Sequence, residues 1–269
     1  AYRRVLQFYG AVPAKVYPAL PRLEDDLVRI PYCVPDDEAL IDRLYFSSAD
    51  SMNQIWPNIL EQTHRLGELF TLGLHPERLD LCEAALVQTM QDAHQLSPAV
   101  WFARLDEVAH WWQARANVAV TLSDDTPIHV TVSELDGLTV LARGVEVSVQ
   151  SQPWDDGYRQ VGALEFDVHA QKRPFIGVSP TSDPYLVSFL QQQGYIVERA
   201  PSAEKHTFYL DCPHFGYEDE RPLLTQIEQG TFPLVRLGRW PNSTRSAFCI
   251  TGDIDALTIW DYGLRFLGN

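Results

Sequence analysis

Two hydrophobic rhythms alternate through the first part of the chain. The segment Leu27-Val28-Arg29-Ile30, with prolines on its far side, predicts a short strand leaving a sheet, and Pro35-Asp36-Asp37 predicts the start of a helix. Between Met52 and Leu66 the apolar groups Ile55, Ile59 or Leu60, and Leu66 fit a helix that stops at Gly67. Leu69 to Leu74 is the next strand. From Arg78 onward Leu79, Cys82, Leu86, Met90 and Ala93 recur at intervals of three and four, one face of a helix and a core face. Val100-Trp101-Phe102-Ala103 is a short aromatic strand, and Asp106 is placed to cap a helix carrying Val108, Trp111 and Trp112. Strand, helix, strand, helix with short connections is the order of parallel βα units.

The rhythm changes twice more. Residues 117–170 hold four β-rich runs, at 118–122, 128–132, 138–140 and 145–149, separated by Asp, Gly or Pro turns, which predict a small antiparallel segment. Then Arg173–Val178 predicts a strand, Asp183-Pro184 a capped helix running to Gly194, Tyr195–Val197 a strand, Leu223–Gln229 a helix and Phe232–Leu237 a strand. The expected fold class is α/β: residues 1–115 a first α/β unit, 116–170 a small β-rich segment, 171–269 a second α/β region.

Composition narrows the function. The chain has 269 residues, 45% of them hydrophobic, enough for one large or two modest domains. Its net charge of -15 argues against a broad nucleic-acid surface, which needs clustered Lys and Arg, and is most simply a matter of solubility. The four cysteines, Cys33, Cys82, Cys212 and Cys249, form no CxxC pair, so neither a zinc ribbon nor a redox dithiol is expected. No apolar run is long enough to span a bilayer and no signal-peptide pattern opens the sequence, so neither a membrane partner nor a compartment is assigned. The chain begins Ala1-Tyr2-Arg3-Arg4 without an initiator Met, from which a missing amino-terminal part is expected.

Two strings bear chemistry. In Leu72-Gly73-Leu74-His75-Pro76-Glu77-Arg78 a histidine follows directly on a strand, where parallel α/β proteins gather their reactive groups, although a lone His there is more often structural. In Phe248-Cys249-Ile250-Thr251-Gly252-Asp253-Ile254-Asp255 an apolar strand delivers two alternate carboxylates to one side, a pair suited to one cation or one water and equally to strand-end capping. An Asp-x-Asp after a strand also occurs in phosphatases of the haloacid dehalogenase type, but Thr258 stands one place late for that motif. A nucleotide-sugar glycosyltransferase would need a convincing nucleotide fold before the motif.

The string Leu74–Arg78, the helix that follows it to His94, and Val100–Trp112, together with Pro31 and Pro35-Asp36-Asp37, resemble the closing part of a polysaccharide deacetylase (NodB-homology) domain over roughly residues 1–115. The resemblance implies half of a distorted (β/α) barrel and a metal-dependent hydrolase that removes acetyl groups from sugars or cleaves related C–N amide bonds. It implies a divalent cation, zinc, as cofactor and a carbohydrate as substrate. It gives His75 the part of general acid, and Thr251–Ala256, similar to the family's Asp motif, would make Asp253 the base and Asp255 a metal ligand. The paired His-x-x-x-His of the family is missing among the eight histidines, which leads to the expectation that the cation-holding half lies upstream and that this chain alone is inactive or weak. The alternative is a carbohydrate- or partner-binding module fused to a degenerate deacetylase domain, with Trp154, Trp240 and Trp260 as sugar-stacking candidates against an ordinary role in the core.

Overall fold

The computed structural model describes residues 2–45 and 54–253. Its strands are, in chain order, β1 (Arg22–Glu24), β2 (Leu27–Arg29), β3 (Leu69–Leu74), β4 (Val100–Phe102), β5 (Val120–Leu122), β6 (Ile128–Val132), β7 (Val140–Arg143), β8 (Glu146–Val147), β9 (Ser151–Pro153), β10 (Tyr158–Val161), β11 (Glu165–His169), β12 (Arg173–Val178), β13 (Val197–Arg199), β14 (His206–Leu210), β15 (Leu234–Leu237) and β16 (Ser246–Gly252). The chain is a mixed α/β protein with several sheets, and among the described residues none of them closes into a barrel.

One parallel sheet positions the site. β16 pairs with β3 in register from Ala247↔Leu69 to Gly252↔Leu74, and with β4 from Ser246↔Val100 to Phe248↔Phe102. Cys33 bridges Leu72 on the far edge of β3, also in parallel. β3 is buried at all six positions, as a strand covered on both faces must be. Side chains alternate between two cores. Phe70, Leu72, Leu74 and Phe248 meet Trp56 and Leu60 of the helix Ile55–Leu66 and Cys82 and Ala85 of the helix Leu79–Gln95. Leu69, Ala247 and Cys249 meet Val108, Trp111 and Trp112 of the helix Leu105–Ala116, together with apolar groups of the helices Pro184–Gln192 and Tyr217–Gln229.

Apart from the two-stranded β1–β2 ribbon, the remaining sheets are built from residues 120–237. Strands β5, β6, β11 and β8 make one antiparallel sheet, and β15, β7, β10 and β9 another. They share a core in which Val130, Phe166 and Val168 meet Val140, Ala142 and Val235. A third, parallel sheet in the order β13-β12-β14 is crossed by the helix Pro184–Gln192, whose N-cap Asp183 accepts a hydrogen bond from the Tyr185 amide at 2.9 Å, as Asp183-Pro184 predicts. No helix among the described residues is long and apolar enough to cross a membrane.

Some local expectations are corrected. Residues 27–29 do not leave a larger sheet; they fold back on β1 as an antiparallel ribbon, and Cys33 takes the sheet edge instead. The N-cap of the helix Leu105–Ala116 is Arg104, with Asp106 in the first turn; the Arg104 amide donates to Glu107 at 2.8 Å. Leu79 is exposed, and the buried stripe of its helix is Cys82, Ala85, Thr89 and Ala93.

Buried arginines tie the elements together. Arg143 donates to the carbonyls of Ile227, Glu228 and Phe232, satisfying the carboxyl end of the helix Tyr217–Gln229. Arg236 pairs with Glu228 and donates to the Gln193 carbonyl at 2.9 Å. Burial pushes the Glu228 carboxyl up, but Arg236 and Arg239 outweigh it and hold the group at about 2.

Two outcomes are expected. Phe248 stacks on Phe70 with ring centroids 5.1 Å apart and is 1% exposed, so Phe248→Ala should cost about 3–5 kcal/mol and lower the urea midpoint. The folded pKa of Glu228 lies below its ordinary 4.5, so its stabilising effect is complete above that pH and fades as the pH falls toward about 2. Glu228→Gln should therefore cost roughly 3–5 kcal/mol at neutral pH, with the gap to wild type narrowing in acid; denaturant titrations at stepped pH measure it.

Candidate functional site

Three parallel chain segments end side by side at the carboxyl edge of the first sheet. The Cys33 segment runs into Pro35-Asp36-Asp37, β3 into His75, and β16 into Asp253. His75 is held in extended backbone, φ -100° and ψ 118°, because Pro76 follows it and opens a short 3-10 turn, Pro76–Arg78, whose Arg78 amide returns to the His75 carbonyl at 2.9 Å. The backbone thus stops the strand where the imidazole stands at its end.

Asp37 meets that imidazole. Its Oδ1 lies 2.7 Å from His75 Nδ1, and its Oδ2 accepts the His75 backbone N–H at 2.6 Å. Oδ1 also accepts the Glu38 amide at 2.8 Å. Asp37 is fully buried and His75 nearly so, and a carboxylate removed from water persists only with partners of this kind. The bidentate grip on ring and backbone fixes the ring's orientation and assigns Nδ1 to the carboxylate.

Asp36 serves the neighbouring loop. Its Oδ1 accepts from the Ala39 amide at 2.7 Å, opening the π-helical turn Ala39–Arg43, and its Oδ2 accepts the Tyr32 hydroxyl at 2.7 Å. The Tyr32 phenol is pushed well above its ordinary pKa by burial, by that hydrogen bond and by the charges of Asp36 and Asp37, so it stays protonated and donating. Gly73 makes room for it, since a Cβ there would fall on the Tyr32 phenol oxygen.

Of the residues singled out from sequence, His75 stands at the strand end as expected, and Asp253 follows β16 beside it, exposed, its amide donating to the Leu74 carbonyl at 2.9 Å. Asp255 lies outside the described residues. Among the described residues no group of three or more His, Cys, Asp and Glu is arranged to hold a metal ion. Asp36 and Asp37 each direct both carboxylate oxygens to hydrogen bonds within the strand-end loops. Trp240 is buried with its Nε1 donating to the Gly67 carbonyl, and Trp154 is half-buried and bonded to the Ser243 carbonyl; Trp260 lies outside the described residues. Trp240 therefore belongs to the core, while Trp154 stays partly exposed. The cysteines are free thiols, and burial pushes Cys33, Cys82 and Cys249 up to about 11.

Asp37 is the residue that sequence reasoning passed over as the start of a helix. The signal available was positional: an acidic pair directly after a chain segment parallel to the strand that delivers His75.

Gly73→Ala should cost about 1–3 kcal/mol by displacing Tyr32 from Asp36, and clearly less in a Tyr32→Ala background. Equal costs in the two backgrounds, measured by urea unfolding, would remove Tyr32 from this account. Set against known proteins, the chain matches no family model, no curated protein and no solved structure.

Proposed function

We propose that this chain carries part of a hydrolase active site that removes acetyl groups from sugars or cleaves related C–N amide bonds, with His75 as general acid oriented by Asp37. The observation that carries the reading is the buried Asp37–His75 pair at the carboxyl edge of parallel strands, 2.7 Å between Oδ1 and Nδ1. A carboxylate behind an imidazole fixes its tautomer and stabilises its protonated form, which is what a proton donor to a leaving group requires.

In this reading water adds to the acetyl carbonyl while Asp253, the residue after β16, takes the proton. The C–N or C–O bond then breaks, His75 delivers a proton from Nε2 to the departing amine or alcohol, and acetate leaves. The chemistry of a divalent cation, zinc by resemblance to polysaccharide deacetylases, would be to polarise the carbonyl, with Asp255 its candidate ligand. The parallel strands β3, β16 and β4 then correspond to a piece of that family's barrel wall.

The test is acetate release from acetylated chitooligosaccharides and acetylated xylan with added zinc, by the 269-residue chain and by the protein as its gene encodes it. Release is expected to be weak from the 269-residue chain, which lacks the His-x-x-x-His pair, and stronger if the encoded protein supplies that pair. His75→Gln should lower kcat about 100-fold or more, and Asp37→Asn should lower it while shifting the pH profile. No release by either form, or release indifferent to His75→Gln, would leave the binding-module alternative standing.

A further inference from the structure

At the opposite end of β3, beyond its first residue, lies a cavity of about 700 Å³, within the range of small-molecule sites. It is bounded by the end of the helix Ile55–Leu66, by β7 and β10, by the helix Tyr217–Gln229, and by the stretch that follows β15. Six arginines line it, Arg65, Arg143, Arg221, Arg236, Arg239 and Arg245, against three acids, Glu68, Asp156 and Glu228. That excess is reversed from a chain whose net charge is -15.

Some of these guanidinium groups are spoken for. Arg221 pairs with Glu68, Arg245 with Asp155 and Asp156, and Arg143 caps carbonyls. Arg236 and Arg239 differ: among the described residues the one carboxylate within ion-pair distance of either is Glu228, paired with Arg236 and 3.5 Å from Nη2 of Arg239. Arg115 stands behind them, buried, with no ion pair among the described residues and its Nη2 on the Gln192 carbonyl. Arg239 is 7% exposed, and its Nε and Nη2 have no hydrogen-bond partner; neither has the hydroxyl of Tyr158 on the same wall. Burial, reinforced by the neighbouring guanidinium groups, lowers both Arg115 and Arg239 from the ordinary arginine range.

Three buried guanidinium groups against one carboxylate leave positive charge uncompensated in a low-dielectric setting, beside a space large enough for a ligand. We propose that this cavity binds a small polyanion bearing phosphate or carboxylate groups, which supplies the missing negative charge against Arg239 and Arg236 and meets Arg65 on the exposed side. Arg239 Nε and Nη2 are buried without a hydrogen bond, Nη2 reaching Glu228 only at 3.5 Å, so the anion either draws that side chain outward or acts on it through charge alone. The site is independent of the His75 chemistry, which sits at the other end of β3, about 20 Å away along the strand.

The test uses the whole chain and isothermal titration with inorganic phosphate, pyrophosphate and citrate, each against sodium chloride at matched ionic strength. Saturable binding of at least one of them is expected, and the comparison of pyrophosphate with citrate separates phosphate from carboxylate preference. Arg239→Met should weaken that binding about tenfold or more while circular dichroism shows a folded chain. Arg65→Ala, an exposed change, should weaken it by a smaller factor and serves if Arg239→Met fails to fold. Absence of saturable binding by any of the three up to about 10 mM, or binding unaltered in the folded variants, would overturn the proposal.

Discussion

Pairing of β16 with both β3 and β4 is the constraint on which the candidate site depends. A parallel strand in the middle of a sheet satisfies its own backbone and that of two neighbours, and it fixes where each neighbour ends. The register Gly252↔Leu74 sets Asp253 beside His75, and the bridge from Cys33 to Leu72 on the other edge brings Asp37 under the same imidazole. Shifting β16 by one residue against β3 would exchange Phe248 with Ala247 and Cys249 between the two cores. The hydrophobic alternation therefore holds the chemistry in place from beneath.

Electrostatics divides the protein along the same strands. At the carboxyl edge of the sheet the buried charges are acidic and are satisfied locally: Asp36 by an amide and a phenol, Asp37 by two amides and an imidazole. At the amino edge the buried charges are predominantly guanidinium groups, whose planar forks suit carbonyls at helix ends and carboxylates alike. Arg143, Arg221, Arg236 and Arg239 knit helices and strands that lie far apart in sequence, which a hydrophobic contact of equal size would do with less directional control.

Much of this was legible in the sequence, for identifiable reasons. The strand Leu69–Leu74 announces itself as a mainly apolar run, broken only by Thr71 and Gly73, between Gly67 and Pro76, and the helix end at Gly67 follows from its left-handed backbone, φ 66°. His75 at a strand end and Asp183 as a cap follow from the same local logic. The Cys33 edge was not legible, because a single bridge imposes no periodicity, and with it Asp37 was hidden. The short strands β9 and β10 were missed since Ser-Gln-Pro and Tyr-Arg-Gln-Val carry little apolar alternation, and β14 since its burial does not alternate. Nor does any local pattern say that β16 lies between β3 and β4; that is a tertiary choice made by where apolar faces find cover.

The position of β16 carries a further implication for how the protein comes into being. Its partners emerge from the ribosome long before it does, so until Ser246–Gly252 is made the nascent chain holds Leu69–Leu74 without the neighbour that completes it. An apolar strand with one open edge invites pairing with other chains. The inner edge of β3 is covered only once Ser246–Gly252 has been made and has found its place beside it.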